Sequence, residues 1–258
     1  MLDKIAEVTQ MSILTNKVAI VAGSSRGIGK AIAKVYAKEG AKVAIVARSE
    51  TEGKLPGTVY TTADEIKKAG GIAIGVPTDI TSEESVAAMV KRVEAELGPV
   101  DILCNSAAVI FYDRLADTPL KRWHLIFNVN VAGAFILSKA VVPGMVARKS
   151  GNVIHLTSSG AVGARKGGNA YGSTKAALER MCKGFAVELK EHNIAVNCLD
   201  PGPVRTEGAV LTRGPSADWS GWGESEEVGP VALHLAVQTP ATMTGQVVRR
   251  IEYNAALK

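Results

Sequence analysis

Short, nearly unbroken apolar runs alternate along this chain with longer segments in which apolar positions recur every three or four residues. The strand-length runs are KVAIVA (17–22), KVAIVA again (42–47), GIAIGV (71–76), VDILC (100–104), NVIHLT (152–157), IAVNCL (194–199) and GQVVRRI (245–251). Most are continuous in Val, Ile and Ala and do not alternate with polar residues. That is the pattern of strands covered on both faces, as in a parallel sheet. Between them lie segments with helical spacing. Residues 27–39 place Ile28, Ile32 and Val35 on one face, and Gly40 is a stop signal. Residues 82–97 begin with Ser82, Glu83 and Glu84, a capping sequence, and residues 171–191 carry Leu178, Met181, Phe185 and Leu189. The alternation predicts an α/β fold: a single-domain, doubly wound Rossmann fold of about seven parallel strands flanked by helices.

Two stretches break the pattern. Residues 49–63 exceed a usual strand-to-helix loop, and residues 205–224 hold four glycines, a proline, Trp219 and Trp222. The second reads as a lid over the site or as a surface for a partner subunit. No Pro/Gly/Ser linker divides the chain. The expected organisation is an N-terminal extension at 1–14, then one domain at 15–258.

Composition narrows the function. Hydrophobic residues make up 47% and charged residues 21% of 258, and the formal charge of +5 is spread without basic blocks. This predicts a solvated surface and no nucleic-acid partner. No apolar run is long enough to span a bilayer, and the N-terminus lacks a signal-peptide pattern, so no membrane association is expected. Cys104, Cys182 and Cys198 are scattered and form no C-x-x-C pair, which fits reduced thiols in the cytoplasm. The four histidines have no metal-ligand spacing, and no metal site is expected.

The candidate chemistry begins at AGSSRGIG (22–29), between a strand and a helix. Glycines let the backbone approach a ligand closely, and the free N–H groups of the helix that starts near Arg26 and Gly27 suit a pyrophosphate. The spacing Gly23, Gly27, Gly29 is G-x-x-x-G-x-G. Together with NSAA (105–108), YGSTK (171–175) and DPGPVRT (200–206), in that order, it resembles the short-chain dehydrogenase/reductase family over residues 15–248. Residues 54–66 resemble the family's hydroxysteroid-dehydrogenase-like subgroup.

The resemblance implies a nicotinamide dinucleotide held by Gly23, Ser25, Arg26, Gly27, Ile28 and Gly29. Asp79 and Ile80 would contact the adenine, and Asn105 and Ala107 the ribose side. Pro201 and Gly202 would shape the turn beside the nicotinamide, with the Val204 backbone and Thr206 hydroxyl on its carboxamide. At the end of the second strand the residue that selects the cofactor is Arg48, where a carboxylate would favour NADH. With Arg26 as a second guanidinium, NADPH/NADP+ is expected over NADH, although Glu50 lies close by in sequence.

Tyr171 and Lys175 are four apart on one helix face. An ammonium beside a phenol lowers its pKa and lets it exchange a proton with an alcohol or a carbonyl. Ser158, thirteen residues upstream, would hydrogen-bond the reacting oxygen. By resemblance, Asn130 completes the set by holding a water beside Lys175, which would also bind the nicotinamide ribose. The expected reaction interconverts a ketone and a secondary alcohol, and the apolar residues around 107–111, 161–163 and 207–223 suggest a lipophilic substrate. One alternative is a 3-ketoacyl-carrier-protein reductase, against which Ile136 and His192 stand where carrier-docking arginines belong. Another is a non-catalytic NADPH-binding sensor or scaffold. The family's usual homodimer or homotetramer would form through helices near 115–148 and 171–191. Three departures stand out: Ala22 in the loop, Ala108 in NSAA, and the tail RRIEYNAALK (249–258).

Overall fold

The computed structural model describes residues 12–257, so most of the extension expected at 1–14 lies outside the described residues. In chain order the elements are β1 (Val18–Ala22), α1 (Gly27–Lys38), β2 (Lys42–Ala47), α2 (Val59–Lys68), β3 (Ile72–Pro77), α3 (Glu83–Glu96), β4 (Ile102–Asn105), α4 (Leu120–Phe127), α5 (Gly133–Arg148), β5 (Gly151–Leu156), α6 (Asn169–Leu189), β6 (Ile194–Asp200), β7 (Val204–Arg205), α7 (Glu207–Arg213), β8 (Gly223–Glu224), α8 (Gly229–Ala236), β9 (Val247–Arg249) and α9 (Arg250–Ala256). Seven strands form one sheet in the order β3-β2-β1-β4-β5-β6-β9, parallel throughout. The order reverses between β1 and β4, which is where this architecture binds ligands.

The apolar runs are covered on both faces, as their continuity predicts. Ala19 and Val21 of β1 enter the core under α1 and α8, while Val18, Ile20 and Ala22 enter the core under α3 and α5. The period of two along one strand therefore feeds two separate cores.

Three expectations need correction. The irregular stretch at 49–63 ends at Thr58, which caps α2. Its Oγ1 accepts from Thr61 N at 3.0 Å, and Thr61 Oγ1 accepts from Thr58 N at 2.8 Å. This reciprocal box uses Thr where Glu or Gln is the usual signal, so the sequence pattern hides it. The stretch 205–224 contains a two-residue strand pair, β7 with β8, and the short helix α7. Finally, α4 and α5 join through a π-helical turn at Asn128–Ala132 into one stretch, Leu120–Arg148, long and apolar enough to cross a bilayer. Here its inner side, including Ala134, Leu137, Val141 and Met145, is buried under the sheet.

Candidate active site

The site is built at the C-terminal ends of β1, β4, β5 and β6. Gly23 follows β1 with φ +77°, and a Cβ there would lie 2.6 Å from Ala107 N. A Cβ at Gly29 would collide with the Gly23 carbonyl oxygen. The loop thus presses its bare backbone onto the turn after β4. Arg26, the residue before α1, is extended, and its side chain makes no capping bond; no acidic residue sits in the first helical turn. The first N–H groups of α1 therefore have no side-chain acceptor, and Gly27 and Ile28 present them outward. This fits the pyrophosphate of a dinucleotide. Ser25 is buried, and its carbonyl accepts from Thr62 Oγ1 at 3.2 Å, tying the loop to α2.

The two arginines behave differently. Arg26 Nε donates to Pro56 O at 2.9 Å, and its Nη2 donates to Gly57 O at 2.8 Å and Ser49 Oγ at 3.2 Å. It staples the 49–57 loop to the glycine loop, whereas sequence placed it on a cofactor phosphate. Arg48 is exposed at the end of β2 and close enough to Asp79 to help hold that carboxyl below its usual range, after the larger effect of bonds from Thr81. Asp79 is turned toward Thr81, and Ile80 is buried against Gly133.

Asn105 is buried at the end of β4, and its Oδ1 accepts from Ala107 N at 3.1 Å. Its orientation comes from His155, a residue the sequence reading set aside. Ser138 Oγ donates to Ala134 O and so accepts from His155 Nε2; His155 Nδ1 then accepts from Asn105 Nδ2. Burial pushes His155 down to about 3, so the ring stays neutral and this chain of bonds persists.

Asn130 lies in the π turn, a feature common at functional sites. Its Oδ1 accepts from Val109 N at 2.9 Å, and its Nδ2 donates to Val109 O at 3.0 Å and Thr174 Oγ1 at 3.1 Å. The side chain thus braces the segment after β4 against α6, next to Lys175. Both amide hydrogens are spent, while Oδ1 keeps its second lone pair.

Ser158, Tyr171 and Lys175 do converge. Ser158 follows β5, and its Oγ accepts from Gly160 N at 3.2 Å. Lys175 is buried; its Nζ donates to Leu156 O at 2.6 Å and lies 5.6 Å from the Tyr171 ring centre. Burial pushes the Lys175 ammonium down to about 8. Burial also pushes the Tyr171 phenol up to about 12, while the Ser158 hydroxyl pulls the other way. The direction opposes the lowered phenol pKa expected from a neighbouring lysine: desolvation outweighs the local charges here.

The turn after β6 closes the site. Gly202 N donates to Asp200 Oδ1 at 2.9 Å, Val204 opens β7, and Thr206 caps α7 by accepting from Ala209 N at 3.1 Å. The Thr206 methyl would lie 3.2 Å from a Cβ on Gly27, so this turn faces the glycine loop. A cleft of about 610 Å³ opens there, between α1, Pro56 and α7. Beneath the turn, Arg250 is buried. Its Nε donates to Pro201 O at 2.6 Å, its Nη2 to Pro203 O at 3.3 Å, and its Nη1 pairs with Glu227. The atypical tail thus supplies the prop for the turn. Its sequence signal was the departure itself. Tyr112 and Arg165, which stand beside Tyr171, had no such signal.

The profile of the short chain dehydrogenase family matches residues 17–213. A short chain dehydrogenase of Pseudocercospora fijiensis is 41% identical over 196 residues, which cover 75% of this chain and 62% of that protein's length, so the chain spans under two thirds of that relative. The 2-dehydro-3-deoxy-D-gluconate 5-dehydrogenase of Formosa agariphila is 31% identical and covers 90% of both chains. Among solved structures, a putative NAD(P) dependent gluconate 5-dehydrogenase from Beutenbergia cavernae with bound NADP superposes with a TM-score of 0.82 at 28% identity, covering 92% of this chain and 96% of its own.

Proposed function

We propose that this chain, which belongs to the short chain dehydrogenase family, is an NADP(H)-dependent oxidoreductase that interconverts a ketone and a secondary alcohol. The observation that carries this is the convergence of Ser158, Tyr171 and Lys175 beside a bare-backbone anion cradle. When bound, NADPH supplies the hydride; Gly23 to Gly29 would hold its pyrophosphate, and Arg48 its 2′-phosphate. The NADP bound to the Beutenbergia cavernae protein supports this cofactor choice.

The chain's own residues handle the proton. With its phenol held protonated, Tyr171 is an acid at neutral pH and gives its proton to the carbonyl oxygen as that oxygen gains charge. The Ser158 hydroxyl bonds the same oxygen. Lys175, anchored on Leu156 O, sets a positive charge near the phenolate that forms. Asn130 and Thr174 keep the wall after β4 in register with α6. Exposed Ile110, Val162 and Leu211 on the bordering elements support an apolar body for the substrate. Half-buried Trp123 and Phe127 beside exposed Phe135 support pairing of like chains.

Tyr171→Phe tests the reading. Turnover of any ketone found by NADPH oxidation should fall at least about 10²-fold, the usual worth of a positioned acid, while NADPH still binds. Activity retained in the variant refutes the assignment. Arg48→Ala should shift the preference from NADPH toward NADH.

A further inference from the structure

The mouth of the site carries three arginines and a buried indole N–H, while the carboxylates of Glu207, Glu224 and Glu226 line the cleft beside α1. Arg165 lies in the segment between Ser158 and Tyr171, with its Cζ 3.7 Å from the centre of the Tyr112 ring. Tyr112 in turn stands edge-on to Tyr171, with centroids 6.5 Å apart. One aromatic ring therefore separates this guanidinium from the proton donor. On the lid side, Arg213 lies 4.9 Å from the centre of Trp222 and 5.8 Å from that of Trp219, whose other neighbour is Arg205 at 5.6 Å. Trp219 Nε1 is buried and has no acceptor among the described residues. None of these three arginines forms an ion pair among the described residues.

Two guanidiniums held near each other repel; the exposed Asp218 carboxylate offsets part of this at Arg213, and no carboxylate among the described residues acts on Arg165. Arg165 is pushed below its usual range, first by burial and then by Arg213. Stacking on aromatic rings offsets part of that penalty and leaves the in-plane N–H edges open. An open guanidinium edge is shaped to take a carboxylate by two parallel hydrogen bonds. An indole N–H without an acceptor points to the same missing chemistry.

We propose that the substrate bears a carboxylate, gripped by Arg165 with Arg213 and the Trp219 N–H as the lid-side clamp. This rests on the oxidoreductase reading above and adds an anionic end to the substrate's apolar body.

Binding tests it without turnover. NADP+-loaded Tyr171→Phe protein is titrated with three carboxylates, each against its neutral twin: D-gluconate against D-sorbitol, 4-oxopentanoate against its methyl ester, and 3-hydroxybutyrate against its methyl ester. Tryptophan fluorescence reports on Trp219 and Trp222; D-sorbitol 6-phosphate tests whether a phosphate serves instead. At least one carboxylate should bind 10-fold or more tighter than its twin. Arg165→Met should bring that ratio near one, Arg165→Lys should restore part of it, and the surface variant Arg92→Met should keep it. Equal binding within every pair overturns the proposal, as does a ratio that survives Arg165→Met or a phosphate that outcompetes every carboxylate. A carboxylate preference in parent protein that neither oxidises nor reduces any of these ligands with NADP(H) counts instead against the oxidoreductase reading.

Discussion

Replacing Arg250 by Met measures what the atypical tail does. The substitution keeps an unbranched apolar stem in a buried slot but removes three partners: Pro201 O at 2.6 Å, Pro203 O at 3.3 Å and the Glu227 carboxylate. A hydrogen bond from a charged group contributes about 1.5–3 kcal/mol, and a buried acceptor left bare costs about 1–3 kcal/mol. The 3.3 Å contact is long and adds little. The Glu227 side chain is 47% exposed, so water takes it over when the pair breaks. The loss therefore stays below the roughly 3–5 kcal/mol of a fully buried pair. About 2–3 kcal/mol remains. For a chain of this size that lowers Tm by roughly 5–10 °C. Thermal unfolding followed by fluorescence or calorimetry reads this directly. Arg250→Lys should recover only part of the loss, because one ammonium cannot span both carbonyls and Glu227. The same variants should raise KM for NADPH, since the propped turn faces the glycine loop. A Tm within about 1 °C of the parent for Arg250→Met would refute the reasoning.

Gly23→Ala should destabilise the protein and abolish NADPH binding, because the new Cβ would lie 2.6 Å from Ala107 N at a φ of +77°; normal NADPH affinity by titration would contradict the cradle. Measured against Lys175→Met, which lacks this group, the cofactor-free protein should gain stability from pH 8 to 10.5. Over that window the unfolded chain keeps the Lys175 proton that the folded chain, with its value lowered from 10.5 to about 8, has released. The gain is roughly 3 kcal/mol, from 1.36 kcal/mol per unit. Absolute stability should fall from about pH 9 in both proteins, because folded Cys104, raised from 9.0 to about 12, and then folded Tyr171, raised from 10.0 to about 12, hold protons the unfolded chain has lost. Urea unfolding of both proteins across this range checks both limbs: the difference between them should grow up to pH 10.5 while each weakens above about pH 9.

The elements were legible wherever one local signal sufficed. Continuous Val and Ile runs located the strands of the main sheet, and Ser82 marked the start of α3, because burial on both faces and helix capping leave their pattern in neighbouring residues. The glycine spacing predicted a phosphate cradle after the first strand, and the Tyr171–Lys175 interval a proton-transfer pair on one helix face. What escaped depends on contacts between distant segments. Arg26 donates to carbonyls of the 49–57 loop, at Pro56 thirty residues away in sequence. Asn130 spent its amide on Val109, twenty-one residues away in sequence. The Tyr171 pKa moved upward because desolvation is set by everything packed around the phenol. Arg165 reached Tyr112, and Arg250 reached Pro201, only once the sheet had brought the ends of the chain together. Sequence by itself determined which residue types the site would contain. Tertiary structure decided which way each one faces and what charge it bears, since orientation and dielectric belong to the packed whole and not to any local run.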